Sequence, residues 1–317
     1  MVSRKTNQSQ AVKKRSLLIY RIKLGISFAL LGISITSFTF IFCFLIANQF
    51  NTGTLTISSS SSETDTDLSK EPEKEYAKID FQPVVDEWVK KQSGNKSVLI
   101  YDLDRDEMVG EYNPTESYST ASLYKLFVVY EGYRRLQSGT WDTKTRVAAG
   151  YDTLKCLDLA VRESYSPCAE ALWSKIGRSE LDRIIEDDFK IMDSDISHLL
   201  SNPQDILAMM KIFYYHEDIS EENLVATMKD SFLNQPKTTY DWRQGLPSGF
   251  SKANVYNKVG WDYNPDIKNW NIYHDAAIVE FPEEDRHFIV VVMTNRVPYQ
   301  KIRELGTAIE KHFYENV

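Results

Sequence analysis

The sequence has little glycine and proline, 13 and 10 of its 317 residues, and only five histidines. No glycine-rich loop follows a predicted strand, which argues against a nucleotide-binding, doubly wound sheet. No Gly-x-Ser-x-Gly motif is present, and the histidines lack the spacing of a metal site. We therefore expect no metal, no cofactor and no α/β-hydrolase triad. The histidines are His198, His216, His274, His287 and His312.

Acidic residues are absent from residues 1–23, which contain seven Lys or Arg, and residues 24–47 carry no charge at all. At about 1.5 Å per residue, an apolar helix of that length crosses a hydrocarbon core of about 30 Å. The stretch is longer than the apolar region of a cleavable signal peptide and ends in bulky residues, which favours an uncleaved transmembrane anchor. The basic arm predicts a cytoplasmic N-terminus, with the rest of the chain outside the cell membrane.

Beyond the basic arm, 30 Lys and Arg stand against 45 Asp and Glu, a formal charge of −15. Nucleic acid is therefore an unlikely partner. Residues 48–77 include five consecutive serines and a mixture of charges, and they have too little apolar surface to fold, so they are predicted to form a flexible linker. The remainder, 78–317, fits the size of one domain.

Hydrophobic periodicity within 78–317 predicts an order of elements: a helix, two strands, a long helical region, two more strands and a last helix. This order suits an α+β fold, in which an antiparallel sheet is flanked by terminal helices and carries an all-α subdomain. Glycine 177 and the pair Asn202-Pro203 are predicted to interrupt the helical region. The predicted helices and strands lie at 81–90, 97–102, 107–112, 155–216, 273–281, 288–294 and 299–314.

A small, turn-prone stretch at 119–122 leads into an apolar helical pattern and places Ser122 three residues before Lys125. Side chains three residues apart on a helix face the same way, so a neutral Lys125 can take the proton of Ser122 during attack on a carbonyl. Free N–H groups at the helix start suit a developing oxyanion. Alone, Ser-x-x-Lys is more often a surface lysine near a helix cap, so the motif needs further support.

Two further stretches contain candidate residues. Ser164 and Ser166 lie in a short break between predicted helices, where serines usually serve as caps. Lys258 lies near the end of a probable strand, and Gly260 after it permits close backbone approach. A lysine on an edge strand before a bend is the alternative interpretation.

Together and in this order, the three stretches resemble the motifs of the penicillin-recognising serine hydrolases, specifically the class A β-lactamase branch. The resemblance covers most of 78–317. It implies that Ser122 attacks an amide or lactam carbonyl, that Lys125 accepts the proton, and that Ser164 passes it to the departing nitrogen.

The resemblance also implies that Lys258 lies near Ser164 and helps to hold a substrate carboxylate. The backbone N–H groups of Ser122 and Trp261 are expected to form the oxyanion hole. The candidate catalytic residues are Ser122, Lys125, Ser164 and Lys258, and the candidate substrate-binding residues are Ser166, Val259, Gly260 and Trp261.

The sequence departs from this family pattern at three places. Tyr165-Ser166 replaces Asp-Asn, so an amide that usually orders the lysine is missing unless Ser166 substitutes for it. Val259 replaces a hydroxyl residue that typically binds the substrate carboxylate. No Glu-x-x-Leu-Asn occurs between Gly177 and Pro203, and without that general base hydrolysis of an acyl-enzyme slows by about 10²–10⁴. Glu186, Asp187, Asp188, Asp193 and Asp195 lie in this interval without the motif, and we expect them to be solvated.

Of the three cysteines, Cys156 and Cys168 flank the Ser164 stretch, and both lie outside the membrane under the predicted topology. We expect a disulfide between them. The short loop that it closes corresponds to about 3 kcal/mol in the chain-entropy model. Such a bond would stiffen the Ser164 turn.

Two functions remain open from the sequence. The first is a membrane-anchored extracytoplasmic serine hydrolase that acts on a D-alanyl or related peptidoglycan peptide, or on a β-lactam-like small molecule, and is not an efficient β-lactamase. The second is a catalytically inactive surface module of the same fold with a binding or scaffold role.

Overall fold

The computed structural model describes residues 76–236, 240–267 and 270–317, all of which belong to one compact unit. The predicted basic arm (1–23), transmembrane anchor (24–47) and nearly all of the linker (48–77) lie outside the described residues. Among those that are described, no helix is both long and apolar enough to cross a membrane.

The described part of the chain begins with a helix and a hairpin, continues through a mainly helical stretch and ends in three long strands and a helix. The first part comprises α1 (Gln82–Lys90), β1 (Asn95–Asp102), β2 (Glu107–Tyr112) and β3 (Tyr118–Ser119). The middle comprises a 3₁₀ helix (Ala121–Leu123), α2 (Tyr124–Gln137), β4 (Arg146–Ala148), β5 (Tyr151–Asp152), α3 (Thr153–Arg162), α4 (Ser166–Ile176), α5 (Arg178–Asp187), a 3₁₀ helix (Ile196–His198), β6 (Leu200–Ser201), α6 (Pro203–Tyr215) and α7 (Glu222–Leu233). The last part comprises a 3₁₀ helix (Leu246–Gly249), β7 (Asn254–Tyr263), β8 (Asn271–Phe281), β9 (Arg286–Asn295) and α8 (Tyr299–Asn316).

The main sheet has five strands in the order β2-β1-β9-β8-β7. Every pairing between its neighbouring strands is antiparallel. β1, near the start of the domain sequence, pairs with β9, near its end. The sheet is therefore built from both ends of the described chain, and the helical part lies between them in sequence. This confirms the predicted α+β fold.

The sheet has a hydrophobic core on each face. Along β9, Ile289, Val291 and Met293 belong to the core shared with the helical part. Their neighbours Val290 and Val292 belong to the core shared with α1 and α8. Because side chains alternate between faces and both faces are covered, β9 is an unbroken apolar run, as the sequence suggests.

The helical part is organised around α2, which is buried along most of its length. The predicted interruptions are confirmed. Gly177 separates α4 from α5 with a φ of 98°, a conformation that glycine adopts without strain. The Asn202 side chain accepts a hydrogen bond from the Asp205 backbone N–H and so caps α6, whose first residue is Pro203.

Candidate active site

Ser122 lies in the 3₁₀ helix that leads directly into α2 and is partly exposed. The residue before it, Ala121, has a φ of 45°, in the left-handed region that non-glycine residues rarely adopt. Such a conformation costs about 1–3 kcal/mol and persists only where the surrounding contacts impose it. The backbone at the predicted nucleophile is therefore held by its neighbours.

His274 on β8 provides one of these contacts. Its ring is fully buried; Nε2 lies 2.8 Å from the Ser119 carbonyl oxygen, and Nδ1 accepts a hydrogen bond from the Thr294 N–H at 2.9 Å. Burial lowers the pKa of His274 to about 4, so the ring is neutral near pH 7 and Nε2 carries the proton that it donates to Ser119. The ring connects the segment before Ser122 to the sheet.

Ser164 lies in the turn between α3 and α4 and has a φ of 52°. The turn is bounded by a disulfide between Cys156 on α3 and Cys168 on α4, which confirms the predicted pairing. The disulfide links α3 to α4 covalently on either side of the turn, so the left-handed backbone of Ser164 lies between two connected helices.

Lys125 on α2 is fully buried, and its amine meets the Ser164 turn. Nζ donates to the Ser164 carbonyl, lies 3.3 Å from Ser164 Oγ and lies 3.0 Å from Ser166 Oγ. Burial lowers the pKa of Lys125 to about 7, and Glu170 opposes this shift. A substantial share of Lys125 is therefore neutral near pH 7 and able to accept a proton.

Lys258 reaches the same hydroxyl from β7. Its Nζ lies 2.9 Å from Ser164 Oγ and 2.9 Å from the Val259 carbonyl oxygen, and the side chain is buried. Burial and the positive charge of Lys125 both lower the pKa of Lys258. The structure thus places the Ser164 hydroxyl between two buried lysines, an arrangement suited to passing a proton.

The contacts of Lys125 differ in one respect from the sequence expectation. Among the hydrogen bonds of the described residues, none joins Lys125 to Ser122, although the two lie one helical turn apart. The amine turns instead to the Ser164 carbonyl and to the two hydroxyls, which together satisfy a buried polar group. Catalytic hydrogen bonds commonly shorten only when substrate binds.

Gly260 brings β7 against the segment that carries Ser122. A Cβ on Gly260 would lie 2.8 Å from the Thr120 carbonyl oxygen and 3.0 Å from the His274 ring. Only glycine allows this approach, which brings the next residue of β7, Trp261, beside the start of the 3₁₀ helix. The Trp261 side chain is partly exposed, at 37%.

The Val259 side chain does not point towards Ser164 and the two lysines. Strand alternation places it on the face of the sheet opposite Lys258, and its side chain is buried with α8 in the second core. Only its carbonyl oxygen takes part, as an acceptor for Lys258. The Val259 side chain therefore points away from Ser164 and the two lysines, and a role for Val259 in substrate binding stays a prediction.

Ser166, the first residue of α4, occupies the position where the family pattern has an amide. Its hydroxyl lies 3.0 Å from Lys125 Nζ. A contact to the lysine is thus retained by a shorter side chain. The side chain of Tyr165, the other substituted residue, packs edge-on against Tyr151 with ring centroids 6.3 Å apart.

Two features near the site have no motif in the sequence. Asp275 on β8 is buried, accepts from the Leu246 N–H at 2.8 Å and from Asn257 Nδ2 at 2.9 Å, and burial raises its pKa to about 7. Trp242 donates from Nε1 to the carbonyl of Glu163, next to Ser164. The register of β7 with β8, which sequence periodicity does not specify, pairs Asp275 with Val259 and so places it on the face of the sheet opposite the Lys258 side chain.

Five acids between Gly177 and Pro203 are exposed, as expected: Glu186, Asp187, Asp188, Asp193 and Asp195. The other two, Glu180 and Asp182, are partly buried. Asp187 pairs with Arg183, Asp188 with Arg134, and Asp195 with His198. Within the described residues, none of the acids in this interval contacts Ser122, Lys125 or Ser164, and no cluster of His, Cys, Asp and Glu is arranged to hold a metal ion.

An apolar cavity of about 390 Å³ lies away from these residues, between α6, α7 and the sheet. Its lining includes Met210, Phe213, Met228 and Phe232, and none of the predicted site residues. Its size and apolar lining are typical of ligand pockets. The two buried lysines and the left-handed Ser164 nevertheless favour the motif residues as the candidate reactive centre.

The sequence matches the model of the beta-lactamase enzyme family over residues 80–313. No curated protein matches it. Among solved structures, PBP-A superposes with a TM-score of 0.63 at 16% identity, covering 74% of this chain and 96% of PBP-A. A beta lactamase from Xanthomonas campestris pv. campestris superposes with a TM-score of 0.63 at 11% identity, covering 73% of this chain and 96% of that structure. A PBP-A variant in an acyl-enzyme complex with penicillin G superposes with a TM-score of 0.60 at 15% identity, covering 74% of this chain and 95% of that variant. At these identities the likeness establishes the fold alone.

Proposed function

Because this chain belongs to the beta-lactamase enzyme family, we propose that it is a serine hydrolase whose Ser122 is acylated by an amide or lactam carbonyl. The observation that carries the proposal is the Ser164 hydroxyl, which lies within 3.3 Å of one buried lysine and 2.9 Å of another. A hydroxyl placed between two amines of lowered pKa is suited to proton transfer near neutral pH.

In the proposed reaction, Ser122 Oγ forms a bond to the carbonyl carbon while its proton moves to neutral Lys125. The carbonyl electron pair moves onto oxygen, opposite the N–H groups of Ser122 and Trp261. When the C–N bond breaks, the proton passes through Ser164 to the departing nitrogen. The products are an acyl-serine and a free amine, or one ring-opened adduct when the substrate is a lactam.

The substrate class that we propose is a D-alanyl peptide or a related cell-wall amide. We also propose a single transmembrane anchor at 24–47 that keeps residues 78–317 outside the cytoplasm. The anchor is supported by the sequence: a basic arm, an uncharged stretch of 24 residues and a polar linker before the family domain. The substrate class is supported by the family and by the position outside the cytoplasm that the anchor predicts.

We propose that hydrolysis of the acyl-enzyme is slow. Efficient deacylation in this family requires a glutamate that activates water. In the corresponding interval, Asp187, Asp188 and Asp195 are exposed and paired with other residues. Loss of a general base slows such a step by about 10²–10⁴. The protein is therefore proposed to form a long-lived adduct with a β-lactam.

Intact-protein mass spectrometry after exposure to a fluorescent penicillin tests acylation directly. We expect the wild type to gain the mass of one opened lactam, and Ser122→Ala to gain none. Absence of an adduct on the wild type, or persistence of the adduct in Ser122→Ala, would overturn the proposal. Nitrocefin turnover at ordinary β-lactamase rates would overturn the slow deacylation step alone.

A second candidate is a non-catalytic binding module of the same fold. It is favoured by the contacts of Lys125, which hydrogen-bonds to Ser164 and Ser166 and, among the described residues, not to Ser122. Cleavage of a D-Ala-D-Ala peptide that disappears in Lys125→Ala would exclude this candidate. Peptide binding without either cleavage or acylation would establish it.

A further inference from the structure

Glu170 on α4 lies close to the proposed proton acceptor, and no motif draws attention to it. It is four residues after Ser166, so the two side chains share one face of the helix. Ser166 Oγ lies 3.0 Å from Lys125 Nζ. Glu170 is therefore one helical turn along from a direct contact of the lysine.

The Glu170 carboxylate is held at both oxygens. Oε1 accepts a hydrogen bond from Tyr124 Oη at 2.7 Å, and Oε2 accepts one from Arg178 at 2.8 Å. Tyr124 is the first residue of α2 and directly precedes Lys125. The carboxylate consequently connects α4, one turn after Ser166, to the start of α2, where Lys125 lies.

The charges around Lys125 come from three directions. Lys258 on β7 meets it at the Ser164 hydroxyl, and Asp275 on β8 lies behind Lys258. From α4, Glu170 is the carboxylate that favours the charged form of Lys125. Arg178 on α5 moderates this effect because it pairs with Glu170, and its guanidinium also stacks 3.8 Å from the Trp173 ring centre.

We propose that Glu170 is a positioning residue of the acylation step: its carboxylate fixes the start of α2 against α4, and its negative charge stabilises the ammonium that Lys125 becomes on accepting the Ser122 proton. The inference rests on the proposed function for the origin of that proton. The effect of the Glu170 charge on Lys125 is expected in the resting protein as well, so it can be measured without any substrate.

The test is the titration of Lys125 in the full chain in detergent micelles, followed by NMR of ¹³Cε-labelled lysine and assigned with Lys125→Arg. Removal of the negative charge in Glu170→Gln should lower the titration midpoint by about 0.5–1 pH unit. This is less than the 1–3 units of a close buried pair because Glu170 is about half exposed. Arg178→Gln removes the moderating cation and should raise the midpoint.

Glu180→Gln is a matched control. Glu180 also pairs with an arginine, Arg183, and its side chain is 43% exposed against 46% for Glu170. We expect no movement of the Lys125 midpoint in this variant. A purely structural role for Glu170 predicts a lower melting temperature without opposite shifts in Glu170→Gln and Arg178→Gln.

Acylation by a fluorescent penicillin, measured across pH on the same proteins, separates this inference from the proposed function. If the wild type forms no adduct, the proposed function fails, and the Lys125 titration still decides the role of Glu170. If the wild type is acylated and the midpoint of Glu170→Gln coincides with that of the wild type, the role of Glu170 is overturned and the proposed function stands. Should Glu170→Gln fail to fold, the Lys125 titration midpoint in Arg178→Gln decides the role of Glu170: a rise supports it, and no change or a fall overturns it.

Discussion

At the scale of single residues, the site depends on amines kept away from water. Lys125 and Lys258 are buried, and burial is the largest cause of the lowered pKa of each. A lysine on an exposed helix would be fully protonated near neutral pH and unable to accept the proton of Ser122. Burial therefore gives Lys125, in an ordinary Ser-x-x-Lys spacing, the pKa that the proposed proton acceptor needs.

The pH dependence of acylation follows from Lys125. Since the pKa of Lys125 is lowered to about 7 and the neutral amine is the acceptor, the rate should rise about tenfold per pH unit below pH 7 and level off above it. Lys125→Met should reduce the rate by about 10²–10⁴ at pH 8. Fluorescent-penicillin labelling in timed samples between pH 5 and 9 gives both results; a rate independent of pH across this range would contradict the assignment.

Gly260 offers a test of the close approach between β7 and the Ser122 segment. Gly260→Ala would place a methyl group 2.8 Å from the Thr120 carbonyl oxygen, so one of the two backbones must shift. A displacement of this kind commonly costs about 1–3 kcal/mol and misaligns reacting groups, slowing acylation by about 10²-fold. The measurements are urea denaturation and labelling rate.

Gly110→Ala is the matched control for that experiment. A Cβ at Gly110 would meet Val85 and Phe81 in the core beneath α1, far from the motif residues. It should lower stability while leaving the labelling rate of the folded protein unchanged. Equal rate losses in both variants would show that Gly260 affects folding rather than the site.

At the scale of elements, the Ser164 turn is fixed by the two helices around it. α3 and α4 are joined by the Cys156–Cys168 disulfide, and Trp242 donates to the carbonyl just before Ser164. The left-handed backbone of Ser164 is thus supported from both sides.

Removing the disulfide should loosen this turn. Cys156→Ala with Cys168→Ala is expected to lower the free energy of unfolding by about 3 kcal/mol, and to slow acylation because Ser164 no longer holds its position. Guanidinium denaturation with and without reductant measures the loss in the free energy of unfolding. Cys43→Ala is the control, and its stability should respond to reductant as the wild type does. Identical alkylated masses with and without reductant would show that the bond does not form.

The elements show what the sequence can and cannot specify. The apolar run of β9 and the stops at Gly177 and Pro203 reflect local periodicity and local backbone preference, so they were predictable. The orientation of the Lys125 side chain towards Ser164 and the burial of the Val259 side chain depend on contacts between distant parts of the chain. No local pattern records them, and the same holds for Asp275 and Glu170.

At the scale of the whole molecule, the proposed anchor predicts where the protein is found. The full chain should sediment with membranes and resist extraction by salt, whereas a chain lacking residues 1–47 should be soluble. An added protease should cleave the tethered domain from outside intact cells once the wall is removed. Recovery of the full chain in the soluble fraction, or protection from protease, would contradict the predicted topology.

The pairing of β1 with β9 also has a consequence for the order of events during synthesis. Ser122 and α2 are made early, but Lys258, Gly260 and Trp261 arrive only with β7, and the sheet closes only when β9 meets β1. A nascent or truncated chain therefore carries the nucleophile without its partners. Such long-range pairing folds slowly, so reactivity should appear as the last step of maturation, after the final strands have emerged.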